Sequence, residues 1–220
     1  MQSLIHLYNT ALAKLGGDQL PQNISPIESN ALGALCQNVF PHILDMALEA
    51  HEWHFASKRA VLAQVASASS SATGAANPLY AYRYMKPADC ITPIGIAGQG
   101  AVLCPESEDG SPAYVLEGSV ILCNVAQAEL VYTSRFTDPK RWPAYFAEHL
   151  VWKLAATLAI ARNNDKQQQQ ACERMAEMTL AKACAMDRKT ANPYRKPSAW
   201  QAARGTGGRA AYGRRAYGGR

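Results

Sequence analysis

The stretch Leu48-Glu-Ala-His-Glu-Trp-His-Phe-Ala-Ser-Lys-Arg-Ala-Val-Leu62 joins a long amphipathic pattern to a region that is rich in strand-forming residues. The pattern before it, from Asn30 onward, repeats apolar residues every three or four positions, which predicts a helix. Trp53 and Phe55 are the two large anchors of the stretch. We therefore expect these two side chains to wedge the end of the long helix into the segment that follows.

Length and composition are those of one domain with room for a small insertion. Of the 220 residues, 48% are apolar, and no apolar run reaches the roughly 18 residues that a membrane-spanning helix requires. The amino terminus lacks the basic start and apolar run of a signal peptide, so we expect synthesis in the cytoplasm. The six cysteines lack metal-site spacing, which predicts reduced, buried thiols and no bound metal or cofactor.

Charge is distributed unevenly along the chain. Residues 188–220 contain nine Lys or Arg and no acidic side chain, whereas residues 1–187 contain 13 basic and 17 acidic side chains. The body is therefore mildly acidic, with a formal net charge of −4, and the C-terminal segment is strongly basic. Such an asymmetry indicates that the basic segment binds a partner.

Four helices are predicted from capping residues and apolar spacing. The first begins at the cap Ser3 and stops at Gly16, and the third begins at Asp138 and Pro139. The fourth covers residues 166–188 and carries a thin apolar face, made of Ala171, Met175, Met178 and Ala185. A thin face suits a helix that packs on a neighbour better than one that builds its own core.

Between the second and third helices the pattern changes to that of strands. Residues 66–78 are rich in Ser, Ala and Gly and predict a flexible surface loop. Residues 80–134 contain alternating segments and a hairpin around Glu117 and Gly118. We therefore predict a mainly α fold, a four-helix core with a small inserted β domain and an extended C-terminal tail. Its parts are a helical core of residues 1–66 and 136–190, a β domain of residues 67–135, and a basic tail of residues 191–220.

Three local motifs lie along the chain in the order of these predicted elements. They are His51-x-Trp53-x-Phe55-Ala56-x-x-Arg59-x-x-Leu62, Tyr82-x-Tyr84-x-x-Pro87-x-Asp89-Cys90 and Tyr132-x-x-Arg135-Phe136-x-Asp138-Pro139. In this order and spacing, over residues 1–200, the chain resembles the head-to-tail adaptor family of short-tailed bacteriophages, also called tail tubular protein A or head-completion protein. Glu52 departs from the family pattern, which often has proline between the histidine and the tryptophan.

The resemblance implies a structural virion protein without enzymatic activity, assembled in the host cytoplasm. Such proteins form a homo-dodecameric ring that docks beneath the portal, extends the DNA channel, retains the packaged genome and offers a platform to the tail nozzle. A tail fibre or spike is a further candidate partner, and channel DNA is contacted without sequence specificity. The β insertion and residues 98–112 are our candidates for the nozzle side. The structural anchors are Trp53, Phe55, Arg59, Asp138 and Pro139.

In this family the C-terminal segment commonly reaches along the portal. The residues that would bind it here are Tyr194, Arg195, Lys196, Trp200, Arg204, Arg209, Tyr212, Arg214 and Arg215. Trp200 is a lone large aromatic in a polar segment, and aromatic and Arg side chains dominate protein interfaces. We expect Trp200 to fill a pocket of the portal.

Two other functions fit parts of the sequence. Arg and Gly with interleaved Tyr is a composition that binds single-stranded nucleic acid, so a nucleic-acid-binding protein that acts through its tail is the alternative. A peptidoglycan-cleaving protein would need Glu49 or Glu52 in a groove opposite a second acid. His51 and His54 do not match a His-Glu-x-x-His zinc motif, and phosphate-loop and dinucleotide motifs are missing from the sequence.

Overall fold

Four helices flank a set of seven strands in the computed structural model, which describes residues 3–17, 19–21, 25–65, 80–98, 101–103 and 114–190. The helices are α1 (Leu4–Lys14), α2 (Ala31–Glu49), α3 (Ala144–Asn163) and α4 (Lys166–Thr190). The strands are β1 (Ser57–Val61), β2 (Tyr82–Met85), β3 (Cys90–Gly98), β4 (Ala101–Leu103), β5 (Tyr114–Glu117), β6 (Val120–Cys123) and β7 (Glu129–Ser134). The loop predicted over residues 66–78 and the tail predicted over residues 191–220 lie outside the described residues.

Local capping and turn signals explain where several elements begin and end. The Ser3 hydroxyl caps α1 by accepting a hydrogen bond from the His6 N–H at 3.1 Å, and Gly16 follows the helix at a positive φ of 66°. Gly118 has a φ of 61° in the turn between β5 and β6. A positive φ costs glycine little, because glycine lacks a Cβ atom. The predicted cap, stop and hairpin are therefore confirmed.

The entry into α3 differs from its prediction. Asp138 accepts a hydrogen bond from the Lys140 N–H at 3.1 Å, but this cap and Pro139 begin a three-residue 3₁₀ turn. The α-helix itself starts only at Ala144, after a second proline, Pro143. Pro143 lies in an extended conformation, so the chain leaves the 3₁₀ turn before it enters α3.

Helix α3 is the centre of the helical layer. Helices α1, α2 and α4 all pack against it. The predicted row Phe146, Leu150, Leu154 and Leu158 is fully buried, and small residues such as Ala155 and Ala159 are buried beside it. A helix that is covered on several sides is apolar around much of its circumference, because each side meets a neighbour. The core of the helical layer therefore surrounds α3.

The strands form two antiparallel sheets. One has the strand order β1-β7-β3-β4, and the other has the order β2-β6-β5. Tyr84 and Ile121 of the smaller sheet share a buried cluster with Ile96, Leu130 and Tyr132 of the larger sheet. The two sheets therefore enclose an apolar core of their own, distinct from the core around α3.

The prediction of a mainly α fold is wrong, because the structure is a mixed α/β fold. The four helices are present, but the sheets form a second core rather than a minor insertion into a helical one. Strand β1 lies inside the segment assigned to the helical core, yet it pairs along its length with β7, from Ser57 opposite Thr133 to Val61 opposite Glu129. The sheets thus begin directly after the aromatic stretch.

The structure describes five of the six cysteines, and four of these five are buried, as predicted. Cys36, Cys90, Cys123 and Cys172 are buried and unpaired, and Cys184 is half-buried. Burial raises the pKa of the Cys36 thiol to about 11, because an ionised thiolate is poorly solvated there. None of the described helices combines the length and the hydropathy that a bilayer span requires.

We predict that Phe146→Ala lowers the free energy of unfolding by about 3–5 kcal/mol, because it opens a cavity where a fully buried ring contacts other aromatic side chains. Urea unfolding followed by circular dichroism measures the change. Gln170→Ala, at an exposed position of α4, is the control and should change the stability by less than about 0.5 kcal/mol. Equal effects of the two substitutions would contradict the central position of α3.

Candidate functional site: the aromatic exit and the outer face of α4

Trp53 anchors the segment that follows α2. Its side chain is fully buried, and its indole Nε1–H donates a hydrogen bond to the Ala47 carbonyl at 2.8 Å. The indole ring meets the Phe146 ring edge to face at 5.0 Å and lies 6.5 Å from the Tyr145 ring. Trp53 therefore fixes the end of α2 against the first turns of α3.

The other predicted anchors have different surroundings. Phe55 is half-buried, with its ring 4.8 Å from that of Phe146 and 6.0 Å from that of Phe136. Arg59 lies on β1 with half of its side chain exposed, and its Nη1 atom is 3.9 Å from a Glu129 carboxylate oxygen. An exposed pair at that separation contributes little to stability. Phe55 thus packs in the core, whereas Arg59 lies at the surface.

A buried carboxylate links the end of α4 to the segment that follows α2. Asp187 is fully buried, and one of its oxygens lies 2.7 Å from His54 Nδ1 and 3.2 Å from the His54 backbone nitrogen. The other oxygen accepts a hydrogen bond from the Tyr145 hydroxyl at 3.1 Å. We call Asp187, His54 and Tyr145 the Asp187 clasp. It joins the end of α4 to the aromatic stretch and to α3.

His51 lies beside the clasp without completing it. Its Nε2 atom is 3.4 Å from Asp187, but it is buried without a hydrogen-bond partner of good geometry among the described residues. The described residues contain no group of three or more His, Cys, Asp or Glu side chains that could hold a metal ion. His54 and Tyr145 therefore hold the Asp187 carboxylate by hydrogen bonds, and we infer that the clasp positions the end of α4.

Sequence reasoning missed Asp187 and Tyr145 as partners of the two histidines. One signal was present, because Asp187 continues the helical spacing of Cys172, Ala176 and Ala183 along α4. These four residues form the buried side of the helix. An acidic residue on the apolar side of a helix is rarely buried without a partner, so its position itself predicts a hydrogen-bonded contact.

The predicted apolar face of α4 points away from α3. Ala171, Met178 and Ala185 are exposed, with Met178 53% accessible, and Met175 is half-buried. The prediction that this face packs on a neighbour stays a prediction, because α3, the helix next to α4 in the chain, contacts the other side of α4. The small residues of the opposite side pack there instead, because they let α4 approach α3 closely. The predicted face is left open along the outer side of the molecule.

The remaining predicted sites are distributed as follows. The nine residues proposed to bind the portal, Tyr194 to Arg215, lie outside the described residues. Glu49 and Glu52 are both exposed. A groove of about 190 Å³ lies between α1 and α3 and is lined by Leu7, Thr10 and Glu148, among others. The two acids proposed for peptidoglycan cleavage are not among the residues that line this groove.

We predict that Asp187→Asn lowers the pKa of Tyr145 from about 12 but leaves it above 10, because burial contributes most to the increase and the negative charge of Asp187 adds to it. A raised pKa in the folded state means that stability is lost as the pH rises from 10 toward 12. The variant should lose less stability over that range. Alkaline titration of phenolate absorbance and urea unfolding measure the two effects.

The matched control for this prediction is Asp138→Asn, an exposed position where Asn still caps the turn. It should leave the tyrosine titration unchanged. An unchanged titration in Asp187→Asn as well would contradict the contact between Asp187 and Tyr145.

Neither a protein-family model nor a curated protein sequence matches the chain. The residues described above, together with the motifs in the sequence, are therefore what supports a function.

Proposed function

We propose that this chain is a structural subunit of a bacteriophage virion, a head-to-tail adaptor. In this role it forms a ring between the portal and the tail nozzle, extends the DNA channel and retains the packaged genome. The chain acts by binding copies of itself and its neighbours in the particle, and it catalyses no reaction. The resemblance of its three sequence motifs to the adaptor family supplies this identity.

The observation that carries the proposal is the outer face of α4. This helix has 25 residues, and among the described elements its main packing partner is α3. Its other side exposes Met178 and Met186, about half accessible each, between charged residues. A partner that covered the two methionines would remove their apolar surface from water, so this side of α4 supports a subunit that packs in an assembly.

The order of elements supports the same proposal. The family resemblance implies a short helix, a long helix and an aromatic segment, followed by a β region and two closing helices. The described elements have this order, with Trp53 and Phe55 in the aromatic segment. The Arg135 guanidinium of the third motif binds both carboxylate oxygens of Asp45 on α2, at 2.9 and 2.6 Å. The residues of the return motif thereby connect the sheets to the helical layer.

The position of the basic segment supports a binding role for the C-terminal tail. Residues 191–220 follow directly after α4, whose last turns are held by the Asp187 clasp. Arg188 and Lys189 are exposed in the last turn of the helix, where cations suit the negative end of the helix dipole. The end of α4 that precedes the tail in sequence is thus fixed to the body, and we propose the portal as the partner of the tail.

We predict that the chain assembles into a ring on the portal protein of its own particle, and that Trp200→Ala weakens this binding at least tenfold. The reason is that a buried aromatic anchor at an interface contributes about 2 kcal/mol or more. Light scattering coupled to size-exclusion chromatography gives the mass of the chain alone and mixed with purified portal.

Trp200→Phe is the control, because it keeps an aromatic ring at the same position, and it should retain most of the binding. Normal loading of Trp200→Ala rings would refute the role of Trp200 while leaving the adaptor proposal intact. If the wild-type chain forms no ring, either alone or on the portal, the adaptor proposal fails.

Nucleic-acid binding is the second candidate, and the charge of the tail favours it. Residues 188–220 contain nine cations and no acid, with Tyr194, Tyr212 and Tyr217 among them. If this candidate is right, the protein binds single-stranded DNA with an affinity that falls steeply as salt increases, because bound cations release counterions from the phosphates. Deletion of residues 203–220, which removes five of the nine cations, should flatten that dependence. A salt slope that is unchanged by the deletion would exclude residues 203–220 as the binding element.

A further inference from the structure

The outer face of α4 is a basic stripe with a methionine at its centre. Ala171, Met178 and Ala185 are seven residues apart, so they lie along one line of the helix. Arg174 and Lys182 stand one turn before and one turn after Met178, and both are exposed. Neither cation forms an ion pair with a described residue. We call these five residues the α4 stripe.

The outer face of α2 has the opposite charge. Met46 is 50% exposed, and Glu49 stands one turn after it, also exposed. Val39, seven residues before Met46, is half-buried on the same side of the helix. Glu52 is exposed just beyond the helix end. Within the described part of the chain, Glu49 and Glu52 form no ion pair. We call these four residues the α2 face.

The two surfaces are complementary and each is a poor partner for itself. Each exposes a methionine, whose flexible side chain adapts to an irregular neighbour. Two copies of the α4 stripe would bring Arg174 and Lys182 against like charges, and two copies of the α2 face would bring carboxylates together. Juxtaposed like charges disfavour such pairings, whereas a basic surface against an acidic one favours encounter and register.

We propose that the α4 stripe of one copy packs against the α2 face of a second copy of this chain. Met178 and Met46 lie at the centre of this contact, and Lys182 pairs with Glu49. The contact joins two different surfaces, and such head-to-tail contacts generate rings when the rotation between copies closes. The inference rests on the proposed adaptor function and specifies which surfaces build the ring.

The test is a charge-reversal experiment on the full chain. Lys182→Glu and Glu49→Lys, each alone, should weaken assembly at least tenfold, because each places like charges in the contact. The double variant should recover most of the wild-type assembly, because the pair is restored in the opposite sense. Sedimentation velocity over a range of concentrations, with and without purified portal, measures the mass of the assembly.

Two matched substitutions control for nonspecific charge effects. Lys166→Glu makes the same change on α4 away from the stripe, and Glu117→Lys reverses an exposed acid on β5. Both should assemble as the wild type does. Thr10→Trp tests whether the α4 stripe binds the groove of about 190 Å³ between α1 and α3 instead of the α2 face. A bulky side chain at this position would fill the groove. It should also leave assembly unchanged.

The outcomes separate this inference from the adaptor function. Rings that form normally in both single reversals overturn the proposed contact and leave the adaptor function standing. Loss of assembly in Thr10→Trp, with normal assembly in Glu49→Lys, also overturns the proposed contact, because it shows that the second copy binds the groove between α1 and α3. Single reversals that weaken assembly without recovery in the double variant also overturn the pairing. A wild-type chain that assembles neither alone nor on the portal overturns the function and the contact together.

Discussion

Burial of the Trp53 indole holds the end of α2, the first turns of α3 and the end of α4 in one place. The ring packs against Phe146 and Tyr145 of α3, while its N–H is satisfied by the Ala47 carbonyl. Its neighbour His54 reaches the buried Asp187 of α4. A buried tryptophan with a satisfied N–H combines a large apolar contact with one fixed orientation. Three helices are therefore positioned through a few consecutive residues.

This constraint also determines how the sheets join the helices. Directly after the buried aromatic residues the chain enters β1, which pairs with β7. The Ser134 hydroxyl at the end of β7 donates a hydrogen bond to the Ala56 carbonyl at 2.8 Å, and Arg135 binds Asp45 of α2. The larger sheet thus meets the helical layer at the segment that Trp53 anchors.

Local signals explain the part of the fold that could be predicted. Ser3 caps α1, Gly118 turns the hairpin, and the row from Phe146 to Leu158 is buried, because each feature depends on residues that are near in sequence. The burial of Trp53 was likewise predictable, since it is a large apolar side chain at the end of a periodic pattern. The residues proposed to bind the portal stay a prediction, because they lie outside the described part of the chain.

The sequence by itself determined the helices, the hairpin and the aromatic anchor, whereas only the tertiary structure decided which surfaces face inward. Strand β1 has no alternating pattern, and it is extended because β7 supplies its hydrogen bonds. On α4 the apolar side chains are small or spread over two sides, so periodicity alone does not choose between them. Close packing of Cys172, Ala176 and Ala183 on α3, together with the hydrogen bonds to Asp187, selects one side and leaves Met178 outside.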